Sequence, residues 1–304
     1  MRILVVGGNG QVGTELRRSL APLGEVIATT RSGRLDDGAA CVAADMDAPQ
    51  SLSGLIGTIA PGLVVNAAAW TAVDLAEQHS DAAFRANAEA PGVIARACAA
   101  RGVPLVHYST DYVFDGSGTR PYREDDATAP LGVYGASKLA GEAAVRAAGG
   151  THLIFRTAWV YADHGRNFLR TMLRLGAERD VMRVVADQIG TPTPAALIAD
   201  VTAAVMARVL AAEPGARPGG IWHLTAAGHT SWHGFARAIF AGAQARGLLS
   251  HAPEVEAIAT SDYPTPAQRP AYSCLDTTRL QTDFGVQLPD WCDALGAVLD
   301  RMTA

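Results

Sequence analysis

Cysteine is scarce and scattered: four residues in 304, at Cys41, Cys98, Cys274 and Cys292. None has a partner at close spacing, so neither a zinc motif nor a disulfide framework is indicated. A reducing, cytoplasmic compartment suits such a chain. Basic blocks are missing too. With Lys+Arg 25 against Asp+Glu 30, the formal net charge is -5, which argues against a polyanion such as nucleic acid as partner. No apolar run approaches the roughly 20 residues a membrane helix needs, so no membrane partner is expected. The apolar stretch before Gly7 is too short for a signal peptide. Internal repeats and low-complexity linkers are absent. What is present is a chain 49% hydrophobic and 18% charged, able to bury a sizeable core. Its length predicts one large domain with a smaller lobe.

The first half alternates short apolar, β-branched runs with helical stretches. Strands are expected at residues 3–6, 25–30, 63–66, 104–108 and 152–155, with a weaker one at 41–44. Helices are expected at 11–20, 50–59, 81–101 and 134–148. The strands are continuously apolar, the pattern of a parallel sheet covered on both faces. Together these predict an α/β fold with a doubly wound parallel sheet of Rossmann type. The second half is less regular. It has turn-rich stretches at 191–194 and 263–266 and helices at 195–211 and 232–245. The expected division is a dinucleotide-binding domain over 1–156 and a mainly substrate-binding lobe over 157–304, with some segments of the latter returning to the sheet.

Gly7, Gly10 and Gly13 form a Gly-x-x-Gly-x-x-Gly turn between the first strand and the first helix. Gly7 permits the tight turn, Gly10 lets backbone approach a pyrophosphate, and Gly13 lets the helix pack on the strand. The helix N-terminus at Gln11 and Val12 then offers free N–H groups to the phosphates. A structural glycine turn is the alternative, but its place after a clean strand favours dinucleotide binding. The second strand ends Thr29-Thr30-Arg31-Ser32, with no acid to bind a ribose 2′-hydroxyl. Arg31 is either a partner for a 2′-phosphate or a solvated surface arginine. Asp45 and Met46 are placed to flank the adenine. Ala67, Ala68 and Ala69 offer small side chains where backbone passes the cofactor.

Ser109-Thr110-Asp111 ends one strand, and Tyr134-Gly135-Ala136-Ser137-Lys138 opens the next helix. Tyr134 and Lys138, four apart, share a helix face. A phenol titrates near ~10, too high for easy proton exchange at neutral pH, and an ammonium beside it lowers that value. Thr110 can hydrogen-bond the same carbonyl oxygen. A proton donor beside a hydride-carrying dinucleotide is the equipment of ketone reduction. A Tyr-x-x-x-Lys pair alone is usually a solvated helix face; here order and spacing give it weight.

These strings resemble the extended short-chain dehydrogenase/reductase superfamily and, within it, the dTDP-4-dehydrorhamnose reductases. The likeness covers nearly the whole chain. It is carried by Gly7 through Gly13, by Asn66-Ala67-Ala68-Ala69-Trp70-Thr71-Ala72-Val73-Asp74, and by Ser109-Thr110-Asp111-Tyr112-Val113-Phe114-Asp115-Gly116. Tyr134 through Lys138, Arg156 through Tyr161 and Asp187 through Thr193 continue it. The resemblance implies that Tyr134 protonates the 4-keto oxygen of a nucleotide-linked deoxysugar. Lys138 would hold the nicotinamide ribose, Thr110 would complete the triad, and Thr110 and Asp111 would contact the sugar. Arg31 and the missing ribose acid predict NADPH as cofactor, with NADH possible. Trp159 is then a substrate wall rather than plain core. Asp111 has the alternative of capping its loop. Asn167 either touches the nucleotide or caps the following helix. Arg269 meets the diphosphate or lies on the surface.

Some members of the family are dimers joined around Mg²⁺. Glu15 matches one such acid, but Ala196 stands where the second is expected, and alanine offers no oxygen ligand. Glu15 then reads as a carboxylate near a positive helix end. No metal is expected, and the chain is expected to be a monomer or a metal-independent homodimer. Rival functions are few. A 4,6-dehydratase needs an acid where Tyr112 stands. An epimerase regenerates its nicotinamide and consumes none. A regulatory subunit of methionine adenosyltransferase shares the likeness without known need for turnover, but Thr110, Tyr134 and Lys138 are all intact here.

Overall fold

Alternate residues of a strand point to opposite faces, and in this chain both faces are apolar. In β1 (Arg2–Val6), Ile3 and Val5 enter one buried cluster and Leu4 and Val6 another. The computed structural model, which describes residues 1–303, places β1 inside a seven-stranded sheet, third from one edge. The other strands are β2 (Glu25–Thr30), β3 (Val42–Ala43), β4 (Leu63–Asn66), β5 (Leu105–Thr110), β6 (His152–Thr157) and β7 (Gly220–His223). Their order is β7-β6-β5-β4-β1-β2-β3, and every neighbouring pair is parallel. This is the doubly wound sheet that the apolar runs predict.

The main helices are α1 (Gln11–Ser19), α2 (Gln50–Ile59), α3 (Ala90–Ala99), α4 (Val133–Ala147), α5 (Phe168–Gly176), α6 (Ala195–Ala211), α7 (Trp232–Ala245), α8 (Thr278–Phe284) and α9 (Trp291–Arg301). Leu16 of α1 and Ile198 and Val205 of α6 cover Ile3, Val5, Val106 and Phe155. Leu52 and Ile56 of α2, Val93 and Ile94 of α3 and Val145 of α4 cover Leu4, Val6, Val64 and Ile154 on the opposite face. Each such side chain contributes roughly 1.5–3 kcal/mol when buried.

Two regions depart from the sequence reading. Residues 81–101 are not one regular helix. A turn at Ser80–Phe84 runs into a π-helical stretch, Arg85–Glu89, before α3 begins. The wider turn brings Asn87 close to α4: a Cβ on Gly141 would sit 2.0 Å from the Asn87 carbonyl oxygen. The Asn87 side chain also accepts from Trp70 N at 2.8 Å and donates to Trp70 O at 3.1 Å.

The second departure is a strand pair within residues 157–304 that the sequence reading did not include. Helix α6, strand β7 and helix α8 pack onto the sheet, with Trp222, Leu280 and Phe284 in its core. A separate aromatic-rich cluster joins Tyr161, Leu169, Phe235, Phe240, Leu295 and Val298 from α5, α7 and α9. The parallel pair Val181–Val185 and Glu254–Ile258 edges this lobe. The sequence reading missed that pair because its partners lie about seventy residues apart and are half exposed. No helix among the described residues is long and apolar enough to cross a membrane.

Candidate active site

The turns that leave β1, β4 and β5 meet at the C-terminal edge of the sheet, where ligands bind in folds of this type. Gly7 has φ +91°, and a Cβ there would fall 2.7 Å from Ala68 N. A Cβ on Gly13 would fall 2.0 Å from Gly7 O. Packing of the protein itself therefore demands both glycines. Gly10 is different: its nearest neighbour would be Gly7 O at 3.4 Å, so the fold tolerates a methyl there. Its bareness leaves open the surface in front of α1. Gly10 heads that helix in an extended conformation, and no side chain caps it. The first-turn N–H groups of Gln11, Val12 and Gly13 are thus suited to a phosphate. Opposite, Ala67 N bonds Val6 O at 2.9 Å and Ala68 N bonds Asn66 Oδ1 at 3.2 Å, holding the residues 67–69 with only methyl side chains between them and the turn. These residues fit a dinucleotide.

At the far end, Gly7, Asn9, Gly10, Thr30, Arg31 and Ser32 line one open depression. The Arg31 side chain is 78% exposed, with Asp45 Oδ1 3.7 Å away. Thr30 is committed to its own loop: its hydroxyl donates to Arg34 O at 2.9 Å and accepts from Arg34 N at 3.1 Å. Asp45 accepts from Asp47 N at 3.0 Å, and half-buried Met46 packs against the sheet.

Thr110, Tyr134 and Lys138 converge at the other end. Thr110 Oγ1 donates to Asp111 Oδ1 at 3.0 Å and accepts from Tyr112 N at 3.2 Å. Burial pushes the Tyr134 phenol above its ordinary range, against a hydrogen bond with Thr110. Lys138, 3% exposed, donates to the Tyr108 carbonyl at 2.6 Å. Burial draws its ammonium down to about 8, opposed by the Glu142 carboxylate one turn further along α4. The expected depression of the phenol by Lys138 is therefore not what this arrangement gives. The ammonium is turned toward the end of β5, and desolvation governs Tyr134. Asp111 is 2% exposed, and its Oδ2 has no hydrogen-bond partner. Burial pushes its carboxyl up to about 6, against hydrogen bonds from Ser273 and Thr110. Oδ1 is engaged by Thr110 and Oδ2 is buried without a partner, and capping of the loop falls to the Thr110 hydroxyl, which accepts from Tyr112 N.

One signal in the sequence went unread. Of 25 basic residues, 24 are arginine, and Lys138 is the only lysine. A chain that uses arginine everywhere else keeps lysine where a compact ammonium with a movable pKa is required.

The remaining expected residues divide. Arg269 faces the site: Nη2 donates to Asp74 Oδ2 at 2.8 Å and Nη1 to Tyr112 Oη at 3.3 Å. The Tyr112 ring packs edge-on against Tyr134, centroids 5.7 Å apart. Trp159 belongs to the second lobe and stacks on Trp232 at 3.6 Å and 5°. Its backbone is left-handed, φ +44°, a conformation that costs an ordinary side chain on the order of 1–2 kcal/mol. A Cβ on Gly190 would strike its ring at 2.4 Å, so that glycine makes room for it. Asn167 takes the capping role. Its Oδ1 accepts from Arg170 N at 3.0 Å, and its Nδ2 bonds Gln11 Oε1 at 2.8 Å, pinning α5 to the glycine turn.

Over residues 1–304 the chain matches the family described as RmlD substrate binding domain. It is 50% identical over 301 residues to a dTDP-4-dehydrorhamnose reductase of Burkholderia thailandensis, covering 97% of each chain. The chain belongs to the dTDP-4-dehydrorhamnose reductase family. A reductase structure from Clostridium acetobutylicum superposes with a TM-score of 0.88 at 35% identity, covering 100% of both chains. One from Bacillus anthracis, solved in complex with NADP, gives 0.86 at 32% identity over 99% of both.

A divalent cation of the kind known in some dTDP-4-dehydrorhamnose reductases does not suit the residues around Glu15. Glu15, Asp163 and His164 do cluster there. But Arg301 lies among them, with Nη2 2.7 Å from Glu15 Oε1 and Nε 3.0 Å from Asp163 Oδ2. A fixed guanidinium supplies the positive charge that a metal would bring. Glu15 is buried in the second turn of α1, not at its dipole end. Burial works against its carboxylate, and the hydrogen bonds and charges of Arg301 and His164 outweigh it and hold the pKa low. Arg301, rather than the helix dipole, accounts for Glu15.

Proposed function

We propose that this chain reduces the 4-keto group of dTDP-4-dehydro-L-rhamnose to give dTDP-L-rhamnose, with NADPH serving at least as well as NADH. The observation that carries the reading is the convergence of Thr110, Tyr134 and the sole lysine, Lys138, at the strand ends beside an uncapped, glycine-lined helix N-terminus. The glycine turn, Ala67–Ala68–Ala69, Arg31 and Lys138 would hold the dinucleotide. When bound, the reduced nicotinamide supplies a hydride to C4 of the sugar. Tyr134 donates its phenolic proton to the keto oxygen, so the C=O becomes C–OH, and the phenolate is reprotonated from solvent. Lys138, its ammonium turned to the Tyr108 carbonyl, would hold the nicotinamide ribose beside that phenol. Thr110 and Asp111 orient the sugar, and Trp159, on its stacked partner, walls it from the second lobe. Arg269 faces the diphosphate.

NADPH is favoured by Arg31, by the absence of an acid at the end of β2, and by the NADP complex of the Bacillus anthracis relative. Residues 1–156 carry the dinucleotide and the later segments mainly the sugar nucleotide. A cytoplasmic monomer, or a dimer that needs no metal, is consistent with Arg301 standing beside Glu15 and with Ala196 at the second expected ligand position. The test is oxidation of NADPH with dTDP-4-dehydro-L-rhamnose as substrate, followed by product analysis. One NADPH consumed per dTDP-L-rhamnose formed is the expected result. Product without net NADPH loss would indicate an epimerase. Cofactor binding with no turnover would indicate a binding subunit.

A further inference from the structure

Tyr134 is shielded on one side by a strap, residues 265–271, that comes from the far end of the sequence. Ala267, Gln268 and Pro270 close against Val73, Tyr112 and Tyr134. One carboxylate holds two of its residues, while at its end the Ala271 carbonyl accepts from Ile189 N at 2.8 Å. Asp74, in the short helix Val73–Ala76, accepts from Arg269 Nη2 at 2.8 Å through Oδ2 and from Ala267 N at 3.2 Å through Oδ1. The same short segment reaches the catalytic helix: Glu77 Oε1 accepts from Val133 N at 2.8 Å, at the head of α4. The segment from Asp74 to Glu77 thus bridges strap and catalytic helix and is well placed to set the cleft mouth.

The hydrogen-bond inventory of Arg269 shows what this leaves free. A guanidinium has five N–H donors. Asp74 takes one and Tyr112 another, so three remain for a ligand. Tyr112 Oη accepts from Arg269 and so keeps its own proton to donate. The arrangement is a fork already aimed by a carboxylate, ready for an anion with several oxygens. Arginine carries large rotamer entropy, and fixing it before binding removes that cost from the binding step.

We propose that Asp74 is a positioning residue for substrate: it fixes Arg269 and the strap so that the guanidinium receives the diphosphate of the nucleotide sugar. The proposal rests on the reading of the substrate as a nucleotide diphosphate sugar. Asp74 touches neither the reacting carbonyl nor Tyr134, so its loss acts on binding rather than on proton transfer. Charge-assisted hydrogen bonds of this kind control about a tenfold change in affinity or more.

The experiment compares Asp74→Ala, Asp74→Asn, Arg269→Ala and the Asp74→Ala/Arg269→Ala double variant in steady-state NADPH oxidation. Far-ultraviolet circular dichroism and the NADPH Kd serve as controls for folding. Asp74→Ala is expected to raise KM for the nucleotide sugar about tenfold, with kcat within twofold and NADPH Kd unchanged. Asp74→Asn, which keeps an acceptor oxygen but not the charge, should fall between. On the Arg269→Ala background, Asp74→Ala should add little, because the residue it positions is gone. If Arg269→Ala leaves KM unchanged, the diphosphate role of Arg269 is wrong and the proposal falls with it. If Arg269→Ala raises KM but Asp74→Ala does not, Arg269 binds diphosphate and the positioning role of Asp74 is overturned. A lower KM in Asp74→Ala would show that the carboxylate competes with the diphosphate, and would also overturn it. Should Asp74→Ala lose the native circular dichroism, Asp74→Asn decides between the same outcomes.

Discussion

The two ends of the cleft are built on opposite principles. At the Tyr134 end, Thr110, Asp111 and Lys138 are each no more than 5% exposed, and burial shifts Asp111 and Lys138 toward neutrality. At the Arg31 end, the charged group is 78% exposed and its ion pair with Asp45 spans 3.7 Å through solvent. Chemistry needs groups whose proton affinities have been moved, and only desolvation with specific neighbours moves them far. Recognition of a charged ligand edge needs only a guanidinium within reach, and water screens what it contributes. Substitutions should therefore have large effects at the first end and modest ones at the second.

The largest effect is expected from Tyr134→Phe. Removing the proposed proton donor while keeping the ring should lower kcat on the order of a thousandfold, with NADPH affinity nearly intact, measured by turnover and fluorescence titration. Retention of near wild-type turnover would erase the contrast between the two ends.

Lys138 gives the next largest effect and a pH signature. Its pKa is drawn down to about 8, so the ammonium is lost as pH rises through that value. kcat/KM should fall above about pH 8, and Lys138→Arg, whose charge persists, should move that limb upward. Because Lys138 is the only lysine, a ¹⁵N-lysine label yields one Nζ signal whose titration can be followed directly. A midpoint near that of a free lysine would contradict the desolvated setting.

Asp111 sharpens the comparison through stability. Its folded pKa is raised to about 6 from 3.8, so its ionised form is disfavoured in the native state. The cost is absent below the unfolded value and fully present above about pH 6. Asp111→Asn is thus expected to raise Tm by roughly 3–6 °C at pH 8, with the gain vanishing near pH 4, while turnover falls. Scanning calorimetry at the two pH values reads this; an equal gain at both would mean that charge burial is not the cause.

Arg31→Ala should act more gently, weakening NADPH by about five- to tenfold and NADH little, as suits an exposed ion. Equal effects on both cofactors would reduce Arg31 to a surface charge. The smallest effect is expected from chelation: EDTA should leave the light-scattering mass unchanged, since Arg301 already satisfies Glu15. A dimer that dissociates on chelation and reforms with Mg²⁺ would show that the guanidinium yields to a metal.

What could be read in order along the chain was local. Continuous apolar runs dictated the parallel strands, and Gly7 and Gly13 sit where backbone geometry admits no side chain. The Thr110, Tyr134 and Lys138 spacing marked the candidate site, because a strand end and one helix turn are short-range facts. The lone lysine was equally legible and was overlooked. The rest depended on residues far apart in sequence. Asp74 meets Arg269 across 195 positions and Glu15 meets Arg301 across 286. Helix α6 and strand β7 leave the second half to join the first. Asn167 caps α5 and ties it to Gln11 rather than being left free for a ligand. Even the acidity of Tyr134 and Lys138 was decided in three dimensions. A pKa follows from what surrounds a group in space and how much water reaches it, and neither is a property of neighbouring letters.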